Sequence, residues 1–210
     1  IQKYITSIQN SVKCWYGLFN PEHSNLKEDL EWWLSKLNRL GFVAFPPLIM
    51  AVLQKETSTI KIMELLKAIE RYNFLIFKIS QRRSNTGDSE FYRHASEYYK
   101  GHKKLEEIIV NINNWTQYYF SKDGFYSYIN DKFALGNMDG YYDWNGIKYF
   151  LFEYDLYLRE QSKANRIKIG WDEYAKSKKD FISVEHIYPR ESNKKCWNIN
   201  FGRLTDEQKN

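Results

Sequence analysis

The stretch TSTIKIMELLKAIERYNFLIFKI, residues 57–79, carries the clearest helical pattern of the chain. Its apolar residues recur three or four positions apart, as on one face of an amphipathic helix. The members of this stripe are Ile62, Leu65, Leu66, Ile69, Tyr72, Phe74, Ile76 and Ile79. Thr57 or Ser58 is of the residue type that caps a helix start. The stretch therefore predicts a capped amphipathic helix.

The first forty residues repeat this spacing in two further segments. The first segment ends at Asn20, because a following proline disfavours helical backbone. Its stripe consists of Tyr4, Ile5, Ile8, Val12, Trp15, Tyr16 and Phe19. The second segment starts near Asn25, with Glu28 as the partner in a capping box, and runs to Gly41. Both segments are predicted to be amphipathic helices.

Helical patterns continue to residue 159. Pro46 and Pro47 suit the first turn of a third helix. After a polar loop at Gln81–Asp88, helical spacing resumes over residues 90–100, 103–120, 124–134 and 144–159. About eight helices joined by short loops predict a mainly α fold, a multi-helix array packed around an aromatic core.

The pattern changes after Gln161. Residues 162–168 are basic and polar, Trp171–Lys179 is a candidate short helix, and Phe181–Tyr188 alternates apolar and polar residues as a strand does. We therefore predict a helical domain over residues 1–161 and a small, partial α+β module over residues 162–210.

The composition of the 210 residues excludes several classes of protein. Hydrophobic residues make up 43% and charged residues 27%, which is ordinary globular usage and excludes general disorder. Two cysteines cannot form a disulfide framework, so a reducing, cytoplasmic compartment is expected. Neither a membrane span nor a signal peptide is recognisable, and we expect no membrane partner. The chain does not begin with Met, is expected to be a piece of a longer one, and is compatible with a homo-oligomer.

Two features of the composition allow both a structural and a functional interpretation. Aromatic residues make up 18% of the chain and either fill a core or stack on bases or sugars. We favour the core, because most of them lie on helical stripes. The net charge of +5 permits polyanion binding without demanding it. A basic cluster with two tyrosines indicates either a solvated face or a phosphate-contacting strip. Its members are Arg82, Arg83, Arg93, Lys100, Lys103, Lys104, Tyr98 and Tyr99.

One stretch carries a chemical signature, SVEHIYP at residues 183–189. Glu185 and His186 are adjacent, and at a strand end or bulge both side chains can reach one small site. A carboxylate can hold a divalent cation while a neighbouring imidazole takes a proton from water, which suits phosphodiester hydrolysis. A surface pair is the alternative. His94 and His102, eight residues apart, are poor partners for a shared metal, and Cys14 is interpreted as a core residue.

The residues around this signature resemble a known family. Trp171–Asp180, Ser183–Pro189 and Trp197 are similar to the start of the HNH (ββα-metal) nuclease domain of GmrSD-type modification-dependent restriction endonucleases. Residues 65–74 and 149–154 are similar to the helical middle region of that family.

The resemblance implies a site and a substrate. His186 would be the general base, Glu185 would lie at the site of Mg²⁺ or another divalent cation, and Pro189 would shape the turn that leaves the strand. The partner would be DNA, and modified DNA is expected. The Gly-Asn-Leu segment with which this family completes its metal site does not appear before Asn210. The resemblance therefore implies an incomplete nuclease module that is inactive by itself.

Two alternatives remain open. The helical residues could form a non-catalytic scaffold that binds DNA or protein, in which Glu185 and His186 are structural. This hypothesis predicts salt-dependent binding without cleavage. A third hypothesis is a module that binds only protein. Salt-insensitive binding to a protein partner would support it.

Overall fold

The computed structural model describes residues 2–83, 85–132, 146–162, 170–176 and 195–205. The described residues are mainly helical and contain no strand, which confirms the predicted mainly α class. The α-helices are α1 (Gln2–Phe19), α2 (Glu28–Leu40), α3 (Pro46–Lys55), α4 (Thr59–Tyr72), α5 (Asp88–Tyr99), α6 (Leu105–Tyr119), α7 (Lys122–Lys132), α8 (Ile147–Ser162), α9 (Trp171–Lys176) and α10 (Lys195–Phe201). A 3-10 turn, Pro21–His23, follows α1, and a π-helical segment, Asn73–Ile79, continues α4.

The chain divides into two compact units. The first comprises Ile1–Tyr128 and Trp144–Phe150, and the second comprises Ile129–Asp143 and Leu151–Asn210. The boundary after Phe150 falls within helix α8. The division at residue 161, which follows the change in sequence composition, stays a prediction.

Helices of the first unit pack in two rows. Helix α3 contacts α1 and α5, while α4 contacts α2 and α6. Smaller contacts of α1 with α2 and of α3 with α4 join the rows. Each helix therefore packs mainly against the helix two places along the chain rather than against its immediate neighbour.

An aromatic cluster lies at the centre of this unit. Phe45, Tyr72 and Phe91 are fully buried, and their ring centroids lie 4.1 to 5.7 Å apart. Trp115 of α6 extends the cluster, with its ring 5.7 Å from that of Phe91. The aromatic core predicted from sequence is therefore present in the first unit. Burial of rings this large contributes strongly to stability, because each removes a large apolar area from water.

Two of the predicted helix boundaries test capping rules. Ser58 is the N-cap of α4, and its side chain accepts a hydrogen bond from the backbone N–H of Lys61, as predicted. The prediction of a capping box at Asn25 and Glu28 is wrong. Helix α2 begins at Glu28, and its N-cap, Lys27, makes no side-chain capping bond. Acidic side chains in the first turn of α2 offset the helix dipole there instead: Glu28, Asp29 and Glu31.

The helix predicted over residues 59–79 changes its geometry at Asn73. From this residue the backbone is π-helical, which adds about one residue to each turn. Asn73 is buried, and its side-chain amide donates a 2.7 Å hydrogen bond to the carbonyl of Gly41, which follows the end of α2. This contact fixes the end of one helix on the start of the π-helical segment.

The apolar stripe of α1 does not lie in the core. Its side chains are between 39% and 70% exposed: Tyr4, Ile5, Ile8, Val12, Trp15, Tyr16 and Phe19. Helix α1 instead buries Gly17 and Leu18. The interpretation of aromatic residues as core residues is therefore wrong for this helix, although the helix itself was predicted correctly.

The described part of the second unit consists of helical segments. In it, the ring of Phe152 on α8 lies 5.2 Å from that of Trp171 and 6.0 Å from that of Tyr174, both on α9. The predicted strand Phe181–Tyr188 lies outside the described residues. Among the described helices, none combines the length and the apolar character needed to cross a membrane.

Candidate functional site

A groove opens where two helix connections of the first unit lie side by side. One connection joins the end of α3 to the start of α4, and the other joins the end of α5 to the start of α6. The groove has a volume of about 840 Å³ and is open to solvent. We call it the lysine groove, and its lining residues are Lys55, Glu56, Lys61, Tyr98, Tyr99, Lys100, Gly101, Lys103, Lys104, Leu105 and Glu106.

The lining of the lysine groove is strongly basic. Five lysines face two glutamates, so the lining carries a net charge of +3. A smaller adjoining cavity of about 370 Å³ shares Lys55 and Tyr99 with the groove and adds Lys13 of α1. Positive charge in a concave surface raises the local concentration of anions, and it favours anionic ligands.

Two of the five lysines are held by acidic or imidazole partners. Lys61 forms a 2.5 Å ion pair with Glu106, which raises the pKa of the Lys61 ammonium and lowers the pKa of the Glu106 carboxyl. The Lys103 ammonium lies 3.5 Å from Nδ1 of His94 and 3.9 Å from a carboxylate oxygen of Glu97. These contacts order the two side chains.

The other three lysines are available to a ligand. Lys100 and Lys104 are exposed, and neither makes an ion pair with any side chain in the part of the chain that the structure describes. The Lys55 ammonium lies over the ring of Tyr99, 4.6 Å from its centroid. A cation–π contact at an exposed site is weak, about 0.5–1 kcal/mol, and it leaves the N–H donors of this ammonium available to an anion.

The two tyrosines of the groove differ in their surroundings. Tyr98 is half-buried against the core, and burial, followed by the nearby Glu56 carboxylate, raises the pKa of its phenol. Glu56 also accepts hydrogen bonds from the backbone N–H groups of Thr57 and Ser58, at 3.0 and 2.9 Å. Tyr99 is 45% exposed and carries Lys55 on its ring.

A buried histidine lies behind the groove. His94 is fully buried, and its ring is stacked on that of Trp115 with centroids 5.4 Å apart. Burial first, and the nearby Lys103 ammonium second, lower the pKa of the imidazole. A neutral imidazole can accept a hydrogen bond, so His94 helps to orient Lys103 rather than repelling it.

The structure divides the predicted basic cluster. Lys100, Lys103 and Lys104 line the groove with both tyrosines, as the strip interpretation requires. Arg93 is elsewhere engaged, in ion pairs with Glu90 and Glu97, and Arg82 lies over the ring of Tyr119. Arg83 is exposed and does not line the groove.

Lys55 and Lys61 were missed by the sequence analysis. They lie about forty residues before Lys100 in the chain, and no local pattern links them to it. Only the packing of α3 against α5 and of α4 against α6 brings the two connections together. The acidic residues Glu56 and Glu106, which border the groove, were missed for the same reason.

The predicted catalytic pair and the exposed histidines are the other candidates for a catalytic or metal site. Glu185, His186 and Pro189 lie outside the described residues. His102 is exposed, and so is His23, whose Nε2 lies 3.7 Å from a carboxylate oxygen of Glu22. Across the described ranges, no group of three or more His, Cys, Asp or Glu side chains converges in a way that could hold a metal ion.

Cys14 is less buried than the core interpretation requires. It is partly exposed, and desolvation raises the pKa of its thiol. A thiol with a raised pKa is a weak nucleophile at neutral pH, which argues against a catalytic role.

Comparison of the chain with protein-family models, curated proteins and solved structures finds no match. Its function is therefore inferred from its own residues.

Proposed function

We propose that this chain is a fragment of a metal-dependent DNA endonuclease of the restriction or phage-defence type. The observation that carries the proposal is the sequence SVEHIYP at residues 183–189, which resembles the nuclease signature of the GmrSD-type family. In this proposal residues 162–210 are the first part of a ββα-metal module. The parent protein hydrolyses phosphodiester bonds of DNA, with modified DNA as its expected substrate.

The chemistry assigns a separate role to each residue of the pair. His186 takes a proton from the attacking water, as a neutral imidazole near pH 7 can do. Glu185 supplies a carboxylate oxygen, the ligand type that Mg²⁺ and similar cations prefer. The cation, when bound, stabilises negative charge on the phosphate.

The helical unit supports this proposal through its charge. A DNA endonuclease has to hold a polyanion, and phosphate contacts supply much of the affinity of such complexes. The lysine groove offers five lysines in an open concave surface of about 840 Å³. A DNA substrate fits that surface better than a neutral or cationic one.

The test replaces the proposed base in the full-length protein. His186→Ala is expected to lower the rate of Mg²⁺-dependent DNA cleavage about 10²- to 10⁴-fold, the usual contribution of a general base. Glu185→Gln is expected to weaken the dependence of cleavage on Mg²⁺. His23→Ala changes an exposed histidine of the first unit and should cleave like the wild type.

Circular dichroism and melting temperature would establish that all three variants are folded. Cleavage by a folded His186→Ala protein at the wild-type rate would refute the assignment of His186.

A second candidate function is a non-catalytic helical scaffold that binds DNA or protein. The lysine groove favours it, because the groove is complete within the first unit and does not require Glu185 or His186. This candidate predicts DNA binding that weakens steeply with salt and no cleavage with any divalent cation. Metal-dependent nicking by the full-length protein, abolished by His186→Ala, would exclude it.

A further inference from the structure

We infer that the lysine groove binds the sugar–phosphate backbone of duplex DNA, through Lys55, Lys100 and Lys104. The choice of DNA as the polyanion rests on the function proposed above. The assignment of the contacts rests on the groove itself, whose lining carries five lysines against two glutamates. The three lysines lie on two different helix connections, so a bound strand would span both.

The distribution of ion pairs indicates which lysines of the groove receive the phosphates. Glu106 is engaged by Lys61, and Lys103 lies close to His94 and Glu97. Lys100 and Lys104 make no ion pair with any described side chain and are exposed. An anion can therefore bind these two ammonium groups without first breaking a salt bridge. Breaking a salt bridge would reduce the gain in binding energy.

The start of α6 adds backbone donors at the same place. Lys104 is the N-cap of this fifteen-residue helix and makes no side-chain capping bond. The first N–H groups of a helix lack intrahelical partners and favour anions, as does the helix dipole. Glu106 and Glu107 in the first turn satisfy part of this preference, and Lys61 neutralises Glu106.

The tyrosines favour backbone contacts over base stacking. Proteins that hold single strands present aromatic faces on which bases stack. Here the ring of Tyr99 is covered by the Lys55 ammonium, and the phenol of Tyr98 interacts with Glu56. The Lys55 ammonium has three N–H donors, so it can bind a phosphate from above the ring and keep Tyr99 covered. A duplex backbone fits this arrangement better than unstacked bases.

The experiment measures duplex binding without hydrolysis. The full chain is titrated against a fluorescently labelled DNA duplex of about two helical turns, in EDTA, at several salt concentrations between about 50 and 200 mM. The test variant is the double substitution Lys100→Gln and Lys104→Gln. The matched control is Lys67→Gln and Lys122→Gln, which removes the same charge at two exposed lysines outside the groove.

The test variant is expected to bind roughly 10- to 100-fold more weakly, and the slope of log affinity against log salt should fall by about two, one for each lost phosphate contact. The control should keep the wild-type slope. Lys55→Gln alone should lower the slope by about one. Because all these lysines are at the surface, unchanged melting temperatures are expected for every variant.

Three results would overturn the inference. They are equal losses in the test and control variants, absence of duplex binding at low salt, and tighter binding of polyglutamate than of the duplex at matched charge, which would indicate an acidic protein partner instead. The proposed nuclease is tested separately, since His186→Ala should abolish cleavage and leave duplex binding in EDTA unchanged. If His186→Ala abolishes cleavage while the groove variants bind the duplex as tightly as the wild type, only the present inference is refuted.

Discussion

The phenol of Tyr149, on α8, donates a 2.7 Å hydrogen bond to the carboxylate of Glu70, on α4, across 79 residues of chain. The Lys36 ammonium of α2 lies 3.6 Å from the same carboxylate oxygen. One acidic side chain thus links three helices of the first unit. Tyr149 is 6% exposed, so the hydrogen bond is largely shielded from water.

We predict that Tyr149→Phe lowers the free energy of unfolding by about 1.5 kcal/mol, because a hydrogen bond to a charged acceptor is lost while the ring stays. Urea unfolding of the purified chain measures this difference. Tyr157→Phe removes a hydroxyl from an exposed tyrosine of the same helix and should change stability by less than about 0.5 kcal/mol. Equal effects of the two substitutions would show that the Glu70 contact contributes nothing.

The second prediction concerns two glycines with positive φ. Gly87 has φ +86°, and a Cβ there would lie 3.0 Å from two ring carbons of Phe91 and 3.2 Å from the Tyr72 hydroxyl. Gly41 has φ +97° with nothing within 4 Å of the corresponding position. Gly87→Ala should cost about 1–2 kcal/mol for its left-handed backbone and about 1–3 kcal/mol more for overpacking, whereas Gly41→Ala should cost about 1–3 kcal/mol for backbone strain alone, since its backbone is extended with positive φ.

Thermal and urea unfolding of both glycine variants would measure the difference. A loss of less than about 2 kcal/mol in Gly87→Ala would mean that the aromatic cluster relaxes around the added methyl group without loss.

The third prediction contrasts the two faces of α1. Leu18 is fully buried, so Leu18→Ala should lower the free energy of unfolding by about 2–5 kcal/mol. Val12 is 60% exposed, and Val12→Lys should leave stability within about 0.5 kcal/mol of the wild type. A large loss of stability in Val12→Lys would place this stripe in a core.

The fourth prediction follows from the lowered pKa of His94. Because the folded imidazole binds a proton less readily than its unfolded form, whose pKa is near 6.5, the unfolded state takes up more protons at acidic pH. The contribution to stability is complete above pH 6.5, falls as the pH drops through 6.5, and levels off below the lowered folded pKa. Glu97 and Glu90 act in the opposite sense but do not reverse the shift.

Urea unfolding at about pH 7.5 and about pH 5 measures the effect. His94→Gln should reduce the loss of stability between these values, whatever its effect at neutral pH. His102→Gln, at an exposed position, serves as the control and should retain the wild-type difference. An unchanged difference in His94→Gln would assign the pH dependence to other groups.

Local signals predicted the helices well and their partners poorly. Ser58 caps α4 as expected, because a hydroxyl before an apolar run acts within one turn of backbone. No sequence pattern in residues 73–79 predicted the change to π-helical geometry. There the buried Asn73 amide donates a hydrogen bond to the carbonyl of Gly41, 32 residues away in the chain. The stripe of α1 shows the same limit, since periodicity identifies an apolar face but not what covers it.

The candidate site shows this limit at larger scale. Lys100, Lys103 and Lys104 were recognisable as a cluster, because they are close in sequence around the end of α5. Lys55 and Lys61 join them only through packing between alternate helices, and the acidic residues that engage Lys61 and Lys103 decide which lysines a ligand meets. Sequence patterns carry no information on such pairings across forty residues.

The packing of α3 on α1 and α5, and of α4 on α2 and α6, has a consequence for synthesis on the ribosome. A helix that packs on the one two places earlier finds its partner as soon as a single intervening helix has emerged. Each of these contacts spans one intervening helix, so it forms later than a contact between consecutive helices would and earlier than a contact between the two ends of the unit. The first unit can add one helix at a time from its N-terminus, alternating between its two rows. The three rings at the centre of its aromatic cluster, Phe45, Tyr72 and Phe91, all precede α6 in the chain. They can therefore pack together before α6 has been made.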